Sequence, residues 1–275
     1  MPGRGGSLER ARSEGADVRM VTSTTEALGL ARAEPSREVV FAGIGFETTA
    51  PPNAMTVHLA RERGLTNFSI LSSHVLVPPA MEAILGARDN LVQGFLAAGH
   101  VCAIMGWDQY EPIARRHGVP ICPTGFEPVD ILEGILKTVQ LLESGEPGVQ
   151  NQYLRLVRSQ GNPAARAVVD EVYTVCDRKW RGIGTIPDSG LRIRDELAAF
   201  DAEKKFEVTG IDTEEPAVCI SGEILQGLKK PHECPAFGDP CHPMNPLGAT
   251  MVSSEGACAA AYKYGDWGLG TSNDL

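Results

Sequence analysis

The sequence has no apolar run approaching the roughly 20 residues that a membrane-spanning helix needs. Its first residues, Met1-Pro2-Gly3-Arg4-Gly5-Gly6, lack the apolar core of a signal peptide. Together these make a cytoplasmic protein the expectation. No run of five or more basic residues occurs, and the formal net charge is −10. An acidic surface repels phosphate backbones, so nucleic acid is not expected as a partner. Aromatic residues make up only 6% of the chain, so the core must be built mainly from Val, Ile, Leu, Met and Ala. There is no P-loop and no G-x-S-x-G. Gly43-x-Gly45 lacks the third glycine and the ribose-binding acid of a dinucleotide fingerprint. No C-x₂-C pair occurs either, although such pairs are the usual knuckles of structural zinc sites.

What is present is an ordinary globular composition, 275 residues with 43% apolar and 22% charged. That length suits two compact domains, or one with a smaller module. The first part of the chain alternates short apolar runs with helical patterns. Strands are predicted at 17–21, 38–43, 68–71, 93–98 and 119–122. Helices are predicted at 24–33, with Ser23 or Thr24 as cap, and at 52–63, 79–86, 106–117 and 129–144. This alternation predicts an α/β fold with Rossmann-like parallel sheet units. A turn at 143–148 leads to further helices predicted at 150–160 and 163–175. From Trp180 onward the pattern weakens and turn chemistry rises, as in Cys234-Pro235 and Gly238-Asp239-Pro240. Such a segment has a poor core of its own and is expected to need a metal or a disulfide to stay ordered.

Seven cysteines are present, and Cys219, Cys234, Cys241 and Cys258 fall within the last 57 residues. In a reducing compartment, clustered cysteines point to a metal or redox site rather than disulfides. Four thiolates are the complement of a cubane iron–sulfur cluster or of a structural zinc. The wide spacing and the Cys234-Pro235 step favour the cluster; zinc and simple burial stay open as alternatives. His232 and His242, beside this set, are expected to lie outside the ligand set. Cys102, Cys122 and Cys176 are expected to pack as small hydrophobes.

Open parallel sheets bind ligands beyond the carboxyl ends of their strands. The residues at those points are unusual. Gly45-Phe46-Glu47-Thr48-Thr49 follows one strand, His74 another, and Gly99-His100 a third. Thr124-Gly125-Phe126-Glu127-Pro128 follows a fourth. The repeated Gly-Phe-Glu suggests equivalent turns aiming two glutamates at one cleft. The bland alternatives are helix capping for the glutamates and satisfied polar roles for His74 and His100.

Three stretches are longer and more specific: residues 43–51, 124–128 and 251–260. With Gly99-His100 and the cysteine spacing, they resemble the HypD family of hydrogenase maturation factors from about Pro2 to about Tyr264. The resemblance implies two α/β domains around a cleft and a C-terminal module holding a 4Fe–4S cluster on Cys219, Cys234, Cys241 and Cys258. It implies Glu47, Thr48, Thr49, His100 and Glu127 at or near the cleft. The implied role is assembly of the Fe(CN)₂CO group of nickel–iron hydrogenase with the small partner HypC and with HypE, which passes on cyanide made through a HypF-dependent step. The iron of that group would be bound transiently. The implied division is 1–35 as a remnant of a first α/β domain, 36–128 as a middle domain, 129–205 as a helical return and 206–275 as the cluster module. Family members carry a further N-terminal segment with a Cys–Gly–…–His motif and a Pro-Gly-Cys-Pro-x-Cys motif. Without that segment the chain is expected to fall short of the complete chemistry and to expose a sheet edge that favours aggregation. Ser221 and Thr250 stand where some relatives carry two extra cysteines. A zinc-stapled binding module, and less favoured a small-molecule enzyme using the strand-end glutamates, are the competing readings.

Overall fold

The computed structural model describes residues 2–3, 6–208 and 216–265. Short strands β1 (Pro2–Gly3) and β2 (Gly6–Ser7) pair ahead of α1 (Leu8–Ser13). The expected strand at 17–21 does not form. Ion pairs hold that stretch instead: Arg19 bonds Asp17 and Glu34, and Arg37 bonds both acids in turn. Then come α2 (Thr24–Ala33), β3 (Val39–Gly45), α3 (Ala50–Glu62) and β4 (Phe68–Val75). They are followed by α4 (Val77–Leu85), β5 (Phe95–Ala98), α5 (Gly99–Met105), α6 (Glu111–His117) and β6 (Ile121–Thr124).

Two parallel pairs result. β3 runs parallel to β4 from Val39↔Phe68 to Gly45↔His74, and β5 runs parallel to β6 from Phe95↔Ile121 to Ala98↔Thr124. The fold is therefore mixed α/β with parallel sheet units, as the alternating pattern predicts. After α7 (Pro128–Ser144) the helix expected at 150–160 is absent. Its backbone runs along β6 instead, with Gln150 N–H donating to Ile121 O at 3.1 Å and Gln152 N–H to Pro123 O at 2.9 Å. A strand edge with unpaired carbonyls outcompetes local helix propensity here.

The segment expected as a helical return is helical only in part. α8 (Pro163–Val172) stops three residues short, and β7 (Tyr173–Trp180) and β8 (Gly184–Ile193) form an antiparallel hairpin. That hairpin joins β3 and β4 in one sheet of order β3-β4-β8-β7, with β4 and β8 antiparallel. Glycines and Pro187 inside β8 hide a strand that tertiary pairing creates. Small helices α9 (Ala202–Lys205), α10 (Ser221–Leu225), α11 (Ala249–Val252) and α12 (Ala257–Tyr264) complete the chain.

Among the described residues this topology gives three buried cores. The first joins α2, β3, α3 and β4 to α8 and the hairpin, through Leu28, Val57, Phe68, Ile70, Tyr173 and Ile193. The second joins α4 to α6, β5 and β6 through Met81, Cys102, Tyr110, Ile113 and Ile121. The interval 36–128 thus contributes to both. The third is small and lies among the C-terminal cysteines, with Ala236, Cys241, Met251 and Cys258. Alanines at 0% exposure on α2 and α3 let these elements approach closely, in keeping with the low aromatic content.

Helix α7 lies the opposite way to an ordinary amphipathic helix. Its fully buried positions are Asp130 and Gly134, because Gly134 presses on Thr124 of β6; a Cβ there would stand 2.3 Å from Thr124 Cγ2. Val129, Leu132, Ile135, Leu136, Val139 and Leu142 face outward.

Candidate functional site

Two regions carry the residues singled out by sequence. The first gathers the four C-terminal cysteines. Cys241 and Cys258 are buried, while Cys219 and Cys234 are half-buried. Cys258 opens α12, whose amino end lends positive potential to a thiolate. Burial pushes the Cys258 thiol up, a hydrogen bond from Thr250 works against this, and negative charge on Cys241, Cys219 and Cys234 pushes it further up. Among the described residues no three His, Cys, Asp or Glu side chains close round a single metal ion.

Polar donors and a glycine lie beside the thiols. Leu247 N–H donates to Cys241 Sγ at 3.4 Å, and Thr250 Oγ1 donates to Cys258 Sγ at 3.0 Å. Gly248 leaves room for Cys219: a Cβ on it would lie 2.2 Å from Cys219 Sγ. Ser221 Oγ is buried without a hydrogen-bond partner, 3.5 Å from the same Cβ position. A buried hydroxyl without an acceptor, beside sulfur ligands, fits a further acceptor such as a cluster sulfide. The donor set and its surroundings therefore fit a 4Fe–4S group held by Cys219, Cys234, Cys241 and Cys258. His232 is exposed and His242 half-buried. The hairpin of the first core reaches this region: Arg181 Nη2 donates to Leu247 O at 2.9 Å, and Gly182, at φ +84°, sits against Ser221 and Gly222.

The second region lies at the carboxyl ends of the parallel strands. The two Gly-Phe-Glu turns are not equivalent. Glu47, after β3, is 2% exposed. Its Oε1 accepts from the Val77 amide at 2.7 Å, and its Oε2 is buried without a partner. Desolvation raises its pKa to about 7 against the pull of two backbone N–H groups. Thr48 and Thr49 are half-buried, and Thr49 Oγ1 donates to Phe46 O at 3.0 Å. Glu127, after β6, is exposed and pairs with Arg155 at 3.1 Å. His100 is exposed, with its ring 4.9 Å from that of Phe126. His100, Phe126 and Glu127 thus share the edge formed by β5 and β6, whereas Glu47, Thr48 and Thr49 belong to the end of β3. His74 is a satisfied core residue, between Asn53 Nδ2 at 2.9 Å and Ser72 Oγ at 3.1 Å, with its pKa lowered to about 4 by desolvation and by Arg178.

Several contributors escaped the sequence reading. Arg155 grips Asp130 with both guanidinium nitrogens, and Gln152 bridges Asp130 to Glu133 and to the Gly125 amide. Arg155, then Glu127 and Gln152, hold the Asp130 carboxyl well below the usual range. Arg155 and Gln152 lie in the stretch that sequence assigned to a helix, and only Asp130, just inside a Pro-started helix, gave a local signal. Tyr110 and Cys102, buried in the second core, feel the charge of Glu47; burial pushes the Cys102 thiol up to about 12. Neither carried any sequence signal, because both read as core.

The family model described as HypD, "Hydrogenase formation hypA family", matches residues 1–265. "Hydrogenase maturation factor HypD" of Azotobacter vinelandii is 47% identical over 265 residues, covering 94% of this chain and 70% of that protein. The protein of the same name from Cupriavidus necator is 44% identical over 273 residues, covering 96% and 72%. That from Escherichia coli is 42% identical over 265 residues, covering 96% and 71%. Among the described residues no helix is long and apolar enough to cross a membrane.

Proposed function

The chain belongs to the HypD family of hydrogenase maturation factors, and on that premise we propose that it acts as the iron–sulfur scaffold and electron donor in assembling the Fe(CN)₂CO group of nickel–iron hydrogenase. The observation that carries this reading is the pair of donors beside the C-terminal cysteines, Leu247 N–H on Cys241 Sγ and Thr250 Oγ1 on Cys258 Sγ, with the space that Gly248 leaves beside Cys219 Sγ. A 4Fe–4S group on these thiolates supplies electrons one at a time. Cys241 and Cys258, which are buried, and Cys219 and Cys234, which are half-buried, would hold it. Gly248 keeps the space beside Cys219 open.

His100 and Glu127 are the exposed polar groups available to iron, the substrate here, or to a partner. Glu127 is held in place by Arg155, which Asp130 anchors in turn. Glu47 serves differently: buried, it fixes the start of α4 against the end of β3, with Thr48 and Thr49 beside it. A HypC-type chaperone and a HypE-type cyanide donor are the partners that this reading requires, working in the cytoplasm.

Iron, sulfide and zinc content, with the visible spectrum, on full chain purified without oxygen tests the reading. About four iron and four sulfide per chain are expected, lost in Cys234→Ser or Cys241→Ser. Stoichiometric zinc without visible absorption would replace the electron donor by a zinc-stapled binding module.

A further inference from the structure

We propose that the Thr250 hydroxyl raises the electron affinity of the group held by the four cysteines through its hydrogen bond to Cys258 Sγ. The inference rests on the cluster reading above and goes beyond it, because it assigns a tuning role to a residue that is not a ligand. Thr250 Oγ1 lies 3.0 Å from Cys258 Sγ, and both residues are buried. Thr250 is the second residue of α11, so no preceding helical turn offers its hydroxyl a carbonyl, and it donates to sulfur.

The geometry is held from both sides. Met251, next in α11, is 1% exposed in the third core. Gly256, which caps α12, lies so close that a Cβ on it would stand 2.3 Å from Thr250 O. The hydroxyl and the first turn of α12, which carries Cys258, are therefore fixed relative to each other.

The sign follows from charge. On reduction one electron enters and no bond forms or breaks, so the thiolate sulfurs become more electron-rich. A hydrogen bond donated to sulfur favours the more negative form, and its effect is enlarged in a buried setting. Removing the donor must then make reduction harder. Valine keeps the shape of threonine without the hydroxyl, and serine keeps the hydroxyl.

The test is a redox titration of the full chain, loaded with iron and sulfide without oxygen. Dithionite is the one-electron source, and the visible spectrum and the paramagnetic resonance of the reduced form are followed. Thr250→Val is expected to hold as much iron and sulfide as wild type but to bind the electron about tenfold more weakly, ~59 mV lower for a one-electron couple. Thr250→Ser is expected to titrate close to wild type. An unchanged midpoint in Thr250→Val, or the same shift in Thr250→Ser, overturns the proposal. If Thr250→Val holds no iron, Thr250→Ala is read in the same way. A wild-type chain that takes up no iron or sulfide would instead bring down the cluster reading itself, and metal content reports that separately from the midpoint.

Discussion

The carboxylate of Glu47 accepts a 2.7 Å hydrogen bond from the amide of Val77, the first residue of α4. A residue placed beyond β3 thereby caps the first helix of the second core, and the two cores are joined by a buried acid. Its other oxygen has no partner.

This joint should respond to pH. The folded pKa of Glu47 is raised from 4.5 to about 7. A raised carboxyl contributes stability that is fully present below pH 4.5 and is lost as pH rises through 7. A shift of this size corresponds to about 3 kcal/mol. Glu47→Gln keeps the acceptor for Val77 without the titration. Across that window the wild type should lose stability relative to Glu47→Gln in urea unfolding. A difference that stays constant with pH would show that Glu47 does not titrate in the folded chain.

Asp130 should behave in the opposite sense. Arg155 holds its folded pKa below the ordinary value of 3.8. The stability this gives is present above pH 3.8 and is lost as pH falls through the folded pKa. Arg155→Met is therefore expected to be less stable than wild type at pH 7, with the gap narrowing in acid. The ¹³C shift of the Asp130 carboxyl should titrate at higher pH in the variant. A carboxyl that titrates alike in both chains would leave the pairing without energetic weight.

Gly248→Ala would place a methyl group 2.2 Å from Cys219 Sγ. Iron and sulfide content should fall sharply. Gly29→Ala, in α2 with nothing within 4 Å of the new methyl, serves as the contrast. It should stabilise the chain by about 0.5–1 kcal/mol and leave metal content unchanged. Full metal content in Gly248→Ala would show that Cys219 can move away without loss.

The outward apolar side chains of α7 should make the chain self-associate and bind hydrophobic dyes. The double change Leu132→Gln with Leu136→Gln removes two of the exposed side chains. Dye binding should drop by about half or more, while the melting temperature moves little, because neither residue contributes to a core. A large fall in melting temperature would mean that this face is covered in solution.

Much of the site could be read directly. The cysteine spacing, the Cys234-Pro235 step and the two Gly-Phe-Glu turns are local features, and Cys241 and Cys258 share the small third core. The turns look alike in sequence, yet one glutamate is buried and the other is exposed. Nothing local distinguishes them, because burial depends on what packs above each strand end. Val77 donates its amide to the buried Glu47, while the exposed Glu127 meets the side chain of Arg155. Arg155 and Gln152 were missed for the same reason: their roles arise from the path of 149–155 along β6.

The sequence by itself determined most of the strand–helix alternation between α2 and α7, though not α5 nor the irregular path of 17–21, the parallel pairs that this alternation demands, and the family through its long motifs. Those are properties of periodicity, capping and turn chemistry, which act over a few residues. Only the tertiary structure decided that β7 and β8 turn back to join β3 and β4, that α7 presents its apolar side outward, and that Thr250 donates to Cys258. Each depends on partners distant in sequence, or on a glycine such as Gly134 that lets one backbone approach another. Local propensity carries no record of such contacts.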